Sequence, residues 1–266
     1  MPLTSAQAEI LRRIASNRSP ENDVAGATVL HRDADSPRFS DDINLFHDLD
    51  DSIARSAAAD ARSLRHAGYA FSWLLRTSTF QRGLVEIADQ QLKMEWAYDS
   101  AFRFFPVQTD DLCGYRLHDA DAATNKVLAL AGRSEIRDFV DVLHLHDTYL
   151  SLGALVWAAS GKDPGFTPEF LLDQMGRHVA YRQTDLDRLS LRKPLDLRRL
   201  KLRWIAAVEA ATTTLNKLPP EEVGCLYLLP DLRPRTPDPA SPDFPRLTRH
   251  FGRVRGAWPT ISPYQG

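Results

Sequence analysis

The hydrophobic and polar positions in the first half of the chain alternate between helical and strand spacing. Apolar residues recur every three to four positions in the predicted helices and every second position in the predicted strands. The predicted helices cover 4–15, with Thr4 or Ser5 as N-cap, and 50–66, which Gly68 ends. The predicted strands are 42–46, 69–75, 84–88 and 92–97, the last two joined by a tight connection at 89–91. This order predicts an α+β fold with a small mixed sheet flanked by helices.

The second half of the chain has a different pattern of apolar and polar residues. Almost no strand pattern is found from Asp119 onward. The predicted helices there are 120–131, 134–150, 167–181, 184–190 and 195–217. Between Pro230 and Pro245, six of sixteen positions are proline, which excludes a helix or a central strand. We therefore predict a sheet-containing core at 1–118, a helical region at 119–229 and a Pro-rich extended arm at 230–266.

Composition excludes some classes of protein without indicating one. The chain has 266 residues, 43% of them hydrophobic, and a formal net charge of −2, which is typical of a soluble globular protein and does not by itself indicate nucleic acid. Cys113 and Cys225 lie far apart, form no metal-type pair and fit a reducing compartment as buried apolar residues. No apolar run reaches membrane-spanning length, and the first residues lack the pattern of a signal peptide. These features predict a cytoplasmic protein.

The segment from Gly26 to Phe46 carries the strongest chemical pattern. Gly26-Ala27-Thr28 is typical of a turn that opens a helix, and such a turn offers free N–H groups to phosphate. Asp42 and Asn44 project from one face of the following strand, where two oxygen ligands can hold magnesium against that phosphate. The combination predicts nucleotidyl transfer, although Asn44 stands where this chemistry favours a second carboxylate.

Glu95 is the candidate for a third ligand. Lys93 and Glu95 share one face of the predicted strand 92–97. Glu95 can approach the same metal if this strand lies beside the strand of Asp42. The alternative is that Lys93 and Glu95 form the solvated face of an edge strand.

A last group of charges lies on the helices that follow. Lys126 is placed in an apolar helical run, so its ammonium must either reach solvent or meet an anion. Asp138 and Asp141 fall on one face of the next helix. These carboxylates can serve a site with Lys126, or they can form an ordinary ion-pair lattice with Arg133 and Arg137.

In this order the segments resemble the AbiEii/AbiGii toxin family of nucleotidyltransferases, over roughly residues 20–150. The motifs that carry the resemblance are Gly26-Ala27-Thr28-Val29-Leu30, Arg38-Phe39-Ser40-x-Asp42-Ile43-Asn44-Leu45-Phe46, Leu92-Lys93-Met94-Glu95-Trp96 and Asn125-Lys126, followed by Arg133-x-x-x-Arg137-Asp138-x-x-Asp141. The resemblance implies a DNA polymerase beta-like nucleotidyltransferase core followed by a helical region. It also implies transfer of a nucleotide from a nucleoside triphosphate to an acceptor, in some members the end of tRNA. Several members are toxins of toxin–antitoxin or phage-defence pairs, which implies a cognate antitoxin as partner and no membrane.

The resemblance also assigns roles to individual residues. Gly26, Ala27 and Thr28 would form the phosphate-binding turn, with the Thr28 hydroxyl on the triphosphate. Asp42, Asn44 and Glu95 would hold two Mg²⁺ ions. The remaining implied roles are nucleotide binding by Arg38, Ser40 and Lys126, orientation of Lys126 or the nucleotide by Asp138, and retention of Arg133 or Arg137 by Asp141. The implied catalytic residues are Asp42, Glu95, Lys126 and Asp138.

Three functions remain open from the sequence. The chain is an active RNA-modifying enzyme, a catalytically weakened module that binds or regulates because of Asn44, or a nucleotidyltransferase for a small molecule. A basic stretch favours RNA but also fits a solvated helix face, because acidic residues are interleaved with it. Its members are Arg177, His178, Arg182, Arg188, Arg192, Lys193, Arg198, Arg199, Lys201 and Arg203.

Overall fold

The computed structural model describes residues 3–32, 35–88 and 90–259, without the side chains of 177–179. Asp89 of the predicted tight connection, the side chains of Arg177 and His178 and the end of the predicted arm at 260–266 therefore lie outside the described residues. The chain divides into two compact units. The first comprises Met1–Ala101, Pro106–Ala122 and Ser190–Lys193, and the second comprises Phe102–Phe105, Ala123–Leu189 and Pro194–Gly266.

The described residues form an α+β fold, as the sequence predicts. The strands are β1 (Asn22–Ala25), β2 (Asp42–His47), β3 (Ala70–Arg76), β4 (Phe80–Ile87), β5 (Gln90–Tyr98), β6 (Phe102–Arg103), β7 (Gln108–Asp110), β8 (Gly114–Arg116), β9 (Cys225–Leu228), β10 (Thr248–Phe251) and β11 (Arg253–Val254). The helices are α1 (Ser5–Ile14), α2 (Ala27–Leu30), α3 (Asp50–His66), α4 (Asp119–Arg133), α5 (Ile136–Thr148), α6 (Leu152–Ser160), α7 (Pro168–Gln174), α8 (Gln183–Leu186) and α9 (Leu197–Leu215). None of these helices has the length and apolar character needed to cross a membrane.

A seven-stranded mixed sheet forms the first unit, in the order β3-β4-β5-β2-β1-β8-β7. One face of this sheet packs against α1 and α3, and its central side chains are fully buried. Those side chains are Val24, Ile43, Leu45, Met94 and Trp96. Because side chains alternate between faces, the polar residues between them lie on the opposite face. A capping box in which Thr4 and Gln7 bond each other's backbone begins α1.

Strand β4 begins at Phe80, four residues before the predicted strand 84–88. The prediction started only at 84 because Gly83 interrupts the alternation of apolar and polar residues. A Cβ at Gly83 would lie 2.3 Å from Cζ of Phe71, the residue on the adjacent strand β3. Glycine therefore leaves room for this aromatic ring, which contacts Trp73 edge-on with ring centroids 4.8 Å apart. The sequence pattern did not indicate that Gly83 belongs to a strand, because glycine has no side chain that is apolar or polar.

The described residues after Asp119 are mainly helical, as predicted, but they include three short strands that the sequence pattern did not indicate. In the second unit β9 pairs antiparallel with β10, and β6 pairs antiparallel with β11. The Pro-rich segment connects β9 to β10. Every residue of β9 is buried, so its sequence shows a short apolar run without alternation. Helix α6 was not predicted either. It is buried on all sides, so its sequence has no polar face and shows no helical periodicity.

Both cysteines are free and buried, in agreement with the apolar roles expected from the sequence. Burial raises the pKa of the Cys113 thiol to about 12, and the charge of Asp110 adds to this effect. Burial likewise raises the pKa of Cys225 to about 12. Since the thiolate is the reactive form, neither residue is suited to nucleophilic chemistry at neutral pH.

A buried polar network lies beneath the core face of the sheet. Arg18 Nη2 lies 2.6 Å from both carboxylate oxygens of Asp60, and neither side chain is exposed. Asn17 Nδ2 and Trp96 Nε1 each donate to the same carboxylate at 2.8 Å. His47 ends β2 in this region, and burial together with the charge of Arg18 lowers its pKa from 6.5 to about 4. The folded chain therefore holds His47 neutral.

The substitution His47→Asn tests this coupling between protonation and stability. Above pH 6.5 both states carry a neutral histidine, and His47 makes no pH-dependent contribution. Between pH 6.5 and 4 the unfolded chain binds a proton that the folded chain excludes. The free energy of unfolding should therefore fall by up to about 3 kcal/mol more in the wild type than in the variant.

Urea unfolding of both proteins from pH 7.5 to 4.5 measures this difference in slope. His66→Asn is the matched control, because His66 is exposed at the end of α3. Its pH profile should follow the wild type. Parallel profiles for the wild type and His47→Asn would contradict a neutral buried His47.

Candidate active site

Strands β2 and β5 bring the predicted metal ligands together. The two strands are parallel neighbours, and their register pairs Asn44 with Glu95 and Asp42 with Lys93. Residues paired in register project on the same face, and neighbouring strands are separated by about 4.8 Å. The adjacency on which a shared role of Glu95 and Asp42 depends is therefore present in the fold.

Asp42 is held by hydrogen bonds to both its backbone and its side chain. The hydroxyls of Ser40 and Thr28 donate to the main-chain carbonyl of Asp42 at 2.8 and 3.1 Å. Asn44 Nδ2 donates to Asp42 Oδ1 at 2.8 Å. These contacts fix the direction of the Asp42 carboxylate. They also engage the Thr28 hydroxyl, which the resemblance assigns to the triphosphate and which is buried here.

Gly26 lies at the turn that opens α2, as the sequence predicts, in a backbone conformation that favours glycine. Its φ of +65° and ψ of −147° lie in a region that is essentially restricted to glycine. A Cβ there would also lie 3.1 Å from Asn44 Nδ2, so glycine permits the close approach of β2. The N–H groups of Ala27 and Thr28 lie at the start of α2, where a helix provides no acceptor for them. This agrees with the turn expected from the sequence, although α2 has only four residues.

Arg38, to which the resemblance assigns nucleotide binding, is a buried residue of the first unit. The residue is only 1% exposed, and its Nη1 donates to the carbonyl of Phe39 at 2.9 Å. Its backbone forms a bridge with Leu191. In this structure Arg38 therefore secures the segment before β2 from inside the first unit.

Arg82 is a neighbour of the site that the sequence reasoning missed. Its Nε and Nη2 lie 2.8 and 2.7 Å from Glu95 Oε1, and the register pairs these two residues across β4 and β5. Asn44, Glu95 and Arg82 thus form one row across three strands. The predicted strand began only at 84, so Arg82 lay outside it, and the register of the hairpin is known only from the structure.

In the second unit, α4 and α5 place Lys126 among carboxylates. Lys126 Nζ lies 2.9 Å from Asp138 Oδ1 and 3.2 Å from Asp141 Oδ2. Arg133 donates from Nε and Nη2 to Asp138 at 2.7 and 3.0 Å. Burial raises the pKa of Asp138, but Lys126 and Arg133 lower it more, and the net pKa lies below its ordinary value. Asp138 does contact Lys126, as its implied orienting role requires. Of the alternative ion-pair lattice, the pair of Arg133 with Asp138 is present, whereas Arg137 Nε lies 2.6 Å from Glu135 Oε2. Asp141 contacts Lys126, a partner that the resemblance did not assign to it.

The protein ligands at β2 and β5 suit one divalent ion better than the two that the resemblance implies. No group of three or more His, Cys, Asp or Glu suited to metal binding occurs within residues 3–32, 35–88 and 90–259. Asn44 provides no charge, and Glu95 is paired with Arg82. Asp42 supplies a fixed carboxylate, and Mg²⁺ usually takes one or two carboxylates and completes its shell with water and substrate phosphates. The residues present therefore fit one Mg²⁺ on Asp42.

Comparison with known proteins identifies the fold. JHP933 from Helicobacter pylori shares 20% sequence identity at a TM-score of 0.51, over 81% of this chain and 95% of that chain. MenT4, a nucleotidyltransferase toxin of Mycobacterium tuberculosis H37Rv, shares 17% identity at a TM-score of 0.56, over 81% of this chain and 83% of that chain. A second H. pylori structure, provisionally named as a nucleotidyltransferase, shares 19% identity at a TM-score of 0.53, over 81% of this chain and 99% of that one. No family model and no curated protein matches the sequence. The chain therefore has the nucleotidyltransferase fold that the resemblance implies.

Gly26→Ala is expected to disturb the site directly. The backbone conformation costs about 1–3 kcal/mol for a residue with a Cβ, and the added methyl presses on the Asn44 amide. Thermal unfolding should show that loss of stability. In Gly132→Ala the new Cβ meets open space near the end of α4, so this control should unfold at or above the wild-type temperature. Equal unfolding temperatures for the two variants would contradict the close packing of Gly26 on Asn44.

Lys126→Met tests how far the second cluster is structural. The substitution leaves two buried carboxylates without the cation between them, and removal of one partner from a buried ion pair costs about 3–5 kcal/mol. Urea unfolding at pH 7 measures this cost. Lys217→Met, at an exposed lysine after α9, should stay within about 0.5 kcal/mol of the wild type. If Lys126→Met were as stable as the wild type, the charge balance described here would be incorrect.

Proposed function

We propose that this protein is a nucleotidyltransferase that moves a nucleoside monophosphate from a nucleoside triphosphate to an RNA acceptor, with the end of tRNA as the expected acceptor. The observation that carries the proposal is the row of Asn44 and Glu95 beside Asp42, on adjacent parallel strands of a nucleotidyltransferase fold. The name of MenT4 as a toxin supports the further proposal that the protein acts as the toxin of a toxin–antitoxin or phage-defence pair.

In the proposed reaction an acceptor hydroxyl attacks the α-phosphorus of the nucleotide and loses its proton to water, the α–β phosphoanhydride bond breaks, and pyrophosphate leaves. Asp42 would hold Mg²⁺, with Asn44 as a neutral oxygen ligand once its amide turns. Bound there, Mg²⁺ supplies charge neutralisation for the phosphates and lowers the pKa of the attacking hydroxyl. The protein's own contribution is a carboxylate whose direction is fixed by Asn44, Ser40 and Thr28 before the substrate arrives.

Exposed arginines of the second unit support an RNA acceptor. Arg188, Arg198 and Arg199 are exposed around α8 and the start of α9, and the ion pair of Arg188 with Asp185 is long at 3.9 Å. Basic side chains that are available to phosphates make RNA binding steeply dependent on salt. A small-molecule acceptor would not require them, so this surface favours RNA over the small-molecule alternative.

A binding or regulatory module is the second candidate function, and the donor set at β2 favours it. Asn44 replaces a carboxylate, and Glu95 is engaged by Arg82. A nucleotide could bind such a site without being transferred. The distinction between the two functions is therefore catalytic and requires an activity measurement.

Incorporation of labelled nucleotide separates these functions. The wild type is incubated with Mg²⁺, total tRNA and each of the four α-labelled triphosphates in turn, with a parallel set lacking RNA. We expect incorporation into RNA that Asp42→Asn abolishes, with a loss of at least a hundredfold. Asp41→Asn is the matched control, because its amide oxygen can still accept from the hydroxyl of Ser190, and it should retain activity.

Asn44→Asp completes the test. It restores a second carboxylate and removes the amide that donates to Asp42, so activity at limiting Mg²⁺ should rise severalfold. A silent wild type with an active Asn44→Asp variant would establish the binding module instead. Label transferred to an added small hydroxyl compound, equally with and without RNA and never to RNA, would establish a small-molecule acceptor.

A further inference from the structure

Arg82 has hydrogen-bonding capacity that Glu95 does not use. Both hydrogen-bonding contacts of its guanidinium, from Nε and Nη2, go to Oε1 of Glu95, and its Cζ lies 5.2 Å from the centroid of the Phe80 ring, which uses no N–H group. An arginine carries five N–H donors, so Nη1 and the outer hydrogen of Nη2 remain available. The Arg82 side chain is 38% exposed, whereas that of Glu95 is 15% exposed. Glu95 therefore fixes the direction of Arg82 and leaves its outer edge open to solvent.

The charges around this arginine cancel. The row formed by Asn44, Glu95 and Arg82 and the adjacent row formed by Asp42, Lys93 and Leu84 share one face of β2, β5 and β4. They carry two carboxylates and two cations, so their formal charges sum to zero. A site that holds two divalent cations needs a clear excess of carboxylate, whereas a face with fixed cations next to one carboxylate suits one metal ion and an anion.

We propose that Arg82, held in position by Glu95, is an anion-binding subsite for the triphosphate of the nucleotide and takes the place of a second metal ion. This inference rests on the proposed function. Asn44 and Arg82 are two strands apart, or roughly 10 Å between their Cα atoms, a span that a triphosphate held at Asp42 can cross. Glu95 is then a positioning residue for Arg82, and the metal is held from the side of Asp42 and Asn44.

The alternative is that Arg82 and Glu95 form only a cross-strand ion pair that stabilises the sheet. Pairs of this kind contribute roughly 0.2–1 kcal/mol in sheets and bind no ligand. If Arg82 binds the triphosphate, its substitution lowers the affinity for that ligand; if it only forms an ion pair, the affinity does not change. Both interpretations predict that the substituted protein still folds. Arg82→Lys keeps the positive charge beside Glu95 but loses the paired N–H groups of the guanidinium. It therefore serves as a second variant if Arg82→Gln fails to fold.

The test measures two ligands separately on the full chain. Binding of Mn²⁺ alone is followed by electron paramagnetic resonance, and binding of inorganic tripolyphosphate is followed by calorimetry. Arg82→Gln should weaken tripolyphosphate binding about tenfold or more, and Arg82→Lys should recover part of that loss. Arg76→Gln is the matched control. Arg76 is an arginine of the same sheet, but its register partner on β4 is Gln81, so it lies on the face opposite to Arg82. It should bind as the wild type does.

Glu95→Gln distinguishes a positioning residue from a metal ligand. We expect Mn²⁺ affinity to stay within about twofold of the wild type and tripolyphosphate affinity to fall. In an Arg82→Gln background Glu95 is only a repulsive charge, so the same substitution should then raise tripolyphosphate affinity. A tenfold loss of Mn²⁺ affinity in Glu95→Gln, or unchanged tripolyphosphate binding in Arg82→Gln, would overturn the proposal.

The proposed function can fail independently of this subsite. A wild type that binds tripolyphosphate through Arg82 but incorporates no nucleotide keeps the subsite and rejects the transferase. A wild type that incorporates nucleotide with unchanged KM for the triphosphate in Arg82→Gln keeps the transferase and rejects the subsite.

Discussion

The parallel pairing of β2 with β5 is the constraint on which the rest of the candidate site depends. Its register aligns Asn44 with Glu95 and leaves Asp42 one row away on the same face. Because the opposite face is filled by fully buried apolar side chains, a shift of one residue would turn these polar groups into the core. The hydrophobic face thus fixes the position of the candidate site, although it contributes no residue to it.

Asp42 is held by hydrogen bonds from uncharged donors. Ser40 and Thr28 hold its carbonyl, and Asn44 holds its carboxylate. An aspartate at position 44 would repel Asp42 in the absence of metal, whereas the amide stabilises it. The Asp42 carboxylate is therefore oriented by the protein's own side chains, and the proposed single metal ion would bind there. This arrangement supports the proposal that transfer relies on a fixed arginine beside a single metal ion.

Two buried charge clusters show why loss of activity alone is weak evidence for a catalytic role in this protein. Lys126 lies between Asp138 and Asp141 in the second unit, and Arg18 is enclosed with Asp60 in the first. In each cluster a single substitution leaves an uncompensated buried charge, which destabilises the fold strongly. The stability of such variants has to be measured beside their activity before a role is assigned.

By itself the sequence determined the elements with clear periodicity and the identity of the polar residues. Helices α1 and α3 and strand β2 were predictable because their apolar positions recur at a fixed spacing. The turn at Gly26 was predictable because a glycine there precedes a short helical segment. Strand β9 and helix α6 were not, since elements buried on all sides have no polar face and therefore no period. Only the tertiary structure decided which charges meet. The partner of Glu95 proved to be Arg82, because cross-strand register depends on where the hairpin turns, and local spacing does not contain that information.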